Sequence, residues 1–270
     1  HFRALIDWQI DQGSSALVPA GTTGEASTLS NAEHHRVIEV CIEQAAGRVP
    51  VIAGCGSNDT NNAILHLNFS KKSGAAAGLV VAPYYNRPNQ EGIYAHFEAM
   101  TKKNDLPIVL YNVPARTVTD IKPETVARLA QLPTVIGIKD ASGDMPRVTD
   151  HRLACGPDFC LLSGVDEQSL AFNAAGGRGC ISVTANVAPK LCAEFQAACA
   201  SGDYNLARDL NDKLYPLHLA LFSDASPGPI KYALSRVIEG FPAELRLPMT
   251  PPSEASRRQV DAALENAGLI

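Results

Sequence analysis

Lys139 has a setting that could make its amine reactive. It closes the run Val135-Ile-Gly-Ile-Lys139, which is apolar until its last residue. Strand alternation places Val135, Gly137 and Lys139 on one face. If that face turns into an apolar interior, burial disfavours the ammonium form and leaves a nucleophile suited to Schiff-base formation. The plainer reading is a strand-end lysine whose stem runs out to water. Gly137 favours the reactive reading, because it clears space beneath the amine.

Other chemically able groups also follow apolar runs. Pro107–Asn112 carries Tyr111 near its end, in phase with Val109. A phenol there suits proton transfer to an imine, or else packs its ring and caps the interior with its hydroxyl. Thr22 and Thr23 lie between Gly21 and Gly24 and offer two hydroxyls beside adjacent backbone N–H groups. Such a turn suits a carboxylate, and it equally suits an ordinary strand-to-helix connection. Arg116 reads as a bidentate carboxylate clamp or as a solvated cation. Tyr84 and Tyr85 read as a lid or as an interface anchor. Glu25 reads as structural.

Several chemistries find no support. The seven histidines are scattered, and no H-E-x-x-H occurs, so no metal site is expected. The seven cysteines are odd in number, irregularly spaced and without a C-x-x-C pair. They read as reduced thiols in a cytoplasmic protein, acting as small hydrophobes. No G-x-G-x-x-G follows the early apolar runs, and Gly21-Thr-Thr-Gly24 lacks the Lys-Ser/Thr of a P-loop. No cofactor is therefore expected. The 23 Lys+Arg against 28 Asp+Glu give a net charge of −5 without a long basic run, which excludes a nucleic-acid or anionic-membrane surface. No apolar run reaches the roughly 18–20 residues of a membrane-spanning helix.

The elements that must position these groups are short. Apolar runs recur at Ser15–Ala20, Pro50–Gly54, Gly78–Pro83, Pro107–Asn112, Val135–Lys139, Phe159–Ser163 and Gly179–Thr184. Runs apolar on both faces signal a buried parallel sheet. Amphipathic stretches separate them. The clearest is Ser30–Ala46, opened by a Ser30/Glu33 capping box. Others are Thr60–Ser73, Gln90–Lys103, Pro123–Leu129 and Glu167–Ala175. Alternating strands and helices predict right-handed crossovers in a (β/α)8 TIM barrel or an open doubly wound sheet. In a barrel the functional groups gather at the C-terminal strand ends. A hydrophobic content of 46% over 270 residues supplies a core of that size. The seven runs fall one short of a barrel. The stretch with Phe2, Leu5, Ile6 and Ile10 on one face reads as a crossover helix, so a first strand is expected before His1. Residues 1–202 are read as the barrel and 203–270 as a helical C-terminal appendage.

The segments GTTGEASTL (21–29), PYYNRPNQEGIYAHF (83–97), YNVPART (111–117), GIKDASGD (137–144), LLSGVD (161–166), GGRGCISVTANVAP (176–189) and LRLPMTP (245–251) together resemble the dihydrodipicolinate synthase family. These are class I pyruvate aldolases, related to N-acetylneuraminate lyase. The combination is specific and spans essentially the whole chain. The resemblance decides between the two folds in favour of the barrel.

It also implies an activity: condensation of pyruvate with L-aspartate 4-semialdehyde in lysine and diaminopimelate biosynthesis. Lys139 would form the Schiff base and Tyr111 would transfer protons. Thr22 would link Tyr111 to Tyr85 from a neighbouring subunit. Thr22 and Thr23 would bind the pyruvate carboxylate, and Arg116 that of the semialdehyde. Gly164 and Ile181 would line the pocket. A homotetramer, built as a dimer of dimers, is implied. A lysine effector site is implied at His34, Asn58, Asn62 and Tyr84. Asn62 stands where lysine-sensitive members often carry Glu, so weak or absent inhibition is expected. The alternatives are a sister lyase acting on a sugar acid and a non-catalytic ligand-binding relative. Thr23, Arg116 and Tyr85 together weigh against the first, and Lys139 with Tyr111 against the second.

Overall fold

The computed structural model describes all 270 residues. Five parallel strands form one sheet in chain order: β1 (Ile52–Gly54), β2 (Ala77–Val81), β3 (Ile108–Asn112), β4 (Val135–Asp140) and β5 (Cys160–Ser163). The outer two apolar runs extend it as single parallel bridges, Leu17 to Val51 and Cys180 to Ser163. The first run stays a bridge for a chemical reason. Leu17 both donates to Pro50 and accepts from Ile52, and Gly54 donates to the Pro19 carbonyl. The ladder then needs an N–H from residue 19, and proline has none. The last run leaves the sheet after Ile181, whose N–H donates to the Ser163 carbonyl at 2.9 Å.

The sheet divides two cores. On its outer face Val80, Leu110 and Ile138 pack with Ile93, Phe97 and Leu129 from the helices. On its inner face Leu79, Val109 and Tyr111 pack with Val18, Ile52, Ala141 and Ile181. Side chains from the first run and the last thus meet around one interior. A sheet that brings its two ends onto a common core is curled into a barrel wall.

The alternation expected for β4 needs a correction. Ile108 pairs with Val135, but Val109 pairs with Gly137, so Ile136 is an extra residue in a β-bulge. Val135 joins the outer core beside Ile138, and Ile136 is 42% exposed. Only Gly137 and Lys139 face inward. The bulge re-aims the strand just before the lysine.

The helices cover the outside: α1 (Phe2–Asp11), α2 (Asn31–Ala45), α3 (Thr60–Ser73), α4 (Gln90–Lys103), the single turn α5 (Pro114–Thr117), α6 (Pro123–Leu129), α7 (Pro146–Cys155) and α8 (Ser169–Ala174). The Ser30/Glu33 capping box at α2 forms as read. The helix expected over Glu167–Ala175 is a 3-10 turn at Asp166–Gln168 followed by α8. Beyond the sheet, α9 (Pro189–Ser201), α10 (Tyr204–Ala220), α11 (Gly228–Val237) and α12 (Glu254–Ala267) share one core. Phe195, Leu214, Leu217, Ile230, Val260 and Leu264 lie in it, and Leu5 and Trp8 of α1 pack against it. No helix is long and apolar enough to cross a membrane.

Buried histidines give this fold an acid limit. His96 is a buried residue of α4 with Nδ1 2.9 Å from the Thr60 hydroxyl, and burial pushes its pKa down to about 4. The Nδ1 of His66 lies 3.0 Å from His34 Nδ1 and 3.2 Å from His35 Nε2. Burial, then charge on its two neighbours, brings His66 to about 4 as well. Between the ordinary histidine value of 6.5 and about 4, the unfolded chain therefore binds more protons than the folded one. Stability is expected to fall as pH is lowered through that window. The lowered carboxylates act only further down, since Glu33 drops from 4.5 to about 2. Thermal midpoints measured between pH 7.5 and 5 check this, and equal midpoints would overturn it.

Candidate active site

The C-terminal ends of the central strands carry the candidate residues. Tyr111 and Lys139 are register partners on β3 and β4. Both face inward and are buried, Lys139 to 9% exposure. The Lys139 Nζ lies 4.1 Å from the centroid of the Tyr111 ring. Lys139 makes no ion pair, so its amine meets an aromatic face and not a carboxylate. The next residue, Asp140, is held away from it. Burial alone would raise the Asp140 carboxyl, but bonds from His151 and Ser142 bring it below its ordinary value. The Asp140 side chain accepts the Ser142 N–H at 2.7 Å and faces His151 at 3.4 Å.

Small residues make room for the lysine stem. Gly164 donates its N–H to the Asp140 carbonyl at 2.7 Å. A Cβ on Gly164 would sit 3.0 Å from Lys139 Cε and 2.7 Å from the Ala141 Cβ. Ile181 packs against the inner core that holds Tyr111. These four residues, Lys139, Tyr111, Gly164 and Ile181, are thus brought together on the inner face of the sheet.

Thr22 and Thr23 occupy a turn that leaves the sheet at the same end. Glu25 donates its N–H to the Thr22 carbonyl at 3.0 Å, and Ala26 donates to Gly21 at 3.3 Å. Neither threonine hydroxyl is engaged within the chain. Arg116 stands on α5, exposed and without a partner. The turn that carries it is fixed by Thr117, whose hydroxyl donates to the Thr119 carbonyl at 2.7 Å.

Tyr85 stands apart from this group. Its backbone is left-handed at φ 71° and its side chain is 88% exposed, so it reaches neither Thr22 nor Tyr111 of its own chain. The residues read as an effector site fall into two sets of contacts. His34 and Asn62 both adjoin His66, with Asn62 Nδ2 3.2 Å from His66 Nε2. Asn58 accepts from the Asn86 side chain at 2.9 Å, and the Asn86 N–H donates to Tyr84 at 2.9 Å.

The geometry adds residues that sequence reasoning missed. Asn112 is fully buried beside Tyr111; its amide donates to Asp120 at 2.9 Å and accepts the Ile121 N–H at 3.0 Å. Arg147 grips Asp120 with bonds of 2.7 and 2.6 Å, and that guanidinium holds the carboxyl below its usual range. Together they pin the end of β3. Asp166, also buried, accepts the Ser182 hydroxyl and the N–H groups of Val183 and Thr184 at 2.8 and 3.3 Å. It fixes the segment that carries Ile181. The only local signal was an acidic residue placed just after a strand.

A buried amine stacked on a phenol at the strand ends of a β/α barrel equips a protein for carbonyl chemistry. The model of the dihydrodipicolinate synthetase family matches residues 1–267, and the chain belongs to that family. It is 72% identical to the 4-hydroxy-tetrahydrodipicolinate synthase of Novosphingobium aromaticivorans, over 100% of this chain and 92% of the relative. It is 70% identical to that of Erythrobacter litoralis, with the same coverage. Among solved structures, a chloride-inhibited dihydrodipicolinate synthase from Acinetobacter baumannii, complexed with pyruvate, is 44% identical. It superposes with a TM-score of 0.96 over 100% of this chain and 92% of that one. A monomeric dihydrodipicolinate synthase variant is 39% identical, also with a TM-score of 0.96, over 100% and 91% of the two chains. The fold is the TIM barrel of this family, with a helical C-terminal region.

Proposed function

We propose that this chain condenses pyruvate with L-aspartate 4-semialdehyde to give 4-hydroxy-tetrahydrodipicolinate, the first committed step of lysine and diaminopimelate biosynthesis. The observation that carries the reading is the unpaired, buried Lys139 amine over the Tyr111 ring. The amine, in its neutral form, attacks the pyruvate ketone. Water leaves, and the protonated imine becomes the electron sink, so the scheme calls for no metal or cofactor. Loss of a methyl proton gives an enamine, which attacks the aldehyde carbon. The substrate's amine then displaces Lys139 by transimination and closes the ring.

Tyr111 moves the protons in this reading. Thr22 and Thr23 take the pyruvate carboxylate with hydroxyls that nothing else engages. Arg116, unpaired and exposed, takes the carboxylate of the semialdehyde. Gly164 and Ile181 shape the pocket, and the Ile181 carbonyl faces the substrate. Tyr85 serves a neighbouring subunit through Thr22; its exposure suits a role outside its own chain. That role calls for self-association, which we take to be a homotetramer built as a dimer of dimers. His34, Asn58, Asn62 and Tyr84 form the effector site, with Asn62 weakening the response to L-lysine. Seven free cysteines suit a cytoplasmic setting.

A coupled assay tests the substrate assignment. Turnover is expected with pyruvate plus L-aspartate 4-semialdehyde. Cleavage of N-acetylneuraminate without that turnover would transfer the site to the sister lyases.

A further inference from the structure

We propose that the C-terminal region sets the geometry of the Thr22–Thr23 turn through Glu25, which makes Glu25 and Lys231 positioning residues for pyruvate. This rests on the assignment of that turn to the pyruvate carboxylate.

Glu25 closes the turn with its backbone and anchors it with its side chain. Its N–H donates to the Thr22 carbonyl at 3.0 Å, and its φ of 56° lies in the left-handed region that favours glycine. A glutamate held there needs compensation, and its carboxylate finds it. One oxygen accepts the Arg246 backbone N–H at 2.9 Å, and the other accepts the Lys231 ammonium. The Glu25 side chain is only 10% exposed, so this pair is more than a solvated surface contact.

Both partners come from the far end of the chain, 206 and 221 residues away. Lys231 lies on α11 and also donates to the Glu244 carbonyl at 2.8 Å. Arg246 reaches back to the Thr28 carbonyl at 3.1 Å and grips Glu33 with bonds of 2.9 and 2.7 Å. The stretch from the turn to the first residues of α2 is therefore docked on the C-terminal region at several points. The threonine hydroxyls have no bonds of their own within the chain. Their positions follow the turn's backbone, and the turn's backbone follows Glu25.

Glu25→Gln keeps the volume but turns an amide toward the Lys231 ammonium. Lys231→Met removes the cation from the opposite side, and Lys231→Arg retains it. Each is compared with the wild type by steady-state kinetics and by the pyruvate concentration that half-saturates borohydride trapping. Glu25→Gln and Lys231→Met are expected to raise the pyruvate KM and the trapping midpoint about tenfold or more, with kcat changed far less, as misplacement of binding groups predicts. Lys231→Arg is expected to recover most of that loss. If Glu25→Gln does not fold, Lys231→Met carries the test. An unchanged trapping midpoint in variants with a lowered thermal midpoint would overturn the proposal, because the contact would then serve only the fold. A fall in kcat at unchanged KM would overturn it as well. If the wild type traps no pyruvate, the functional reading itself fails and takes the proposal with it.

Discussion

Lys139→Ala is expected to trap no pyruvate on borohydride reduction, where the wild-type chain gains one reduced adduct at Lys139 by intact mass. Turnover is expected to fall by about 10⁴-fold or more, the scale seen when a covalent nucleophile is removed. The fold should survive, because Lys139 makes no ion pair and its stem rests against glycine and a tyrosine ring. Tyr111→Phe separates the two roles. It keeps the ring beneath the amine and removes only the hydroxyl. An adduct should still form while turnover drops by roughly 10²–10⁴-fold, the range of a lost general acid–base group. An adduct on Lys139→Ala would place the nucleophile elsewhere. Full turnover by Tyr111→Phe would leave the phenol a packing role.

A large loss of stability is expected from one methyl group. In Gly137→Ala, the new Cβ would press on the Cys160 carbonyl oxygen and lie 2.8 Å from the Cys160 Cβ. The carbonyl belongs to β5 and cannot swing away as a flexible side chain would. One strand must move, at a cost near the upper end for overpacking, about 3 kcal/mol. For a chain of this size that lowers the thermal midpoint by about 6–12 °C. Activity should fall further than stability alone explains, because residue 137 lies two positions before Lys139 on the inward face. A thermal midpoint unchanged from wild type would show that the strands can part at little cost.

Much of this was legible in the sequence where chemistry is local. Residues 60–73 and 90–103 form helices with the bounds read from their pattern, and each is capped by an acidic or amide side chain at the preceding position. Lys139 and Tyr111 could be placed at one rim because each sits near the end of an apolar run, and a parallel register carries such ends to one side. The bulge at Ile136 left no trace, since Val135, Ile136 and Ile138 are all apolar and a slip between faces does not change their type. The helix α7 was missed because its apolar residues form no buried stripe: Val148 and His151 are its buried residues, while Leu153 is exposed. The anchoring of Glu25 was beyond local reading. A lysine and an arginine some two hundred residues away carry no mark of the glutamate they meet.

The core shared by α1 and α9–α12 bears on how the molecule comes apart. Leu5 and Trp8 sit against the same cluster that holds Val260 and Leu264, and the Gln9 amide donates to the Ala185 carbonyl at 2.8 Å. Loosening α12 strips cover from α1, and loosening α1 bares the helices that hold α12. Neither helix can then loosen on its own. Amide protons of α1 and α12 should exchange with solvent together, at rates set by their joint opening.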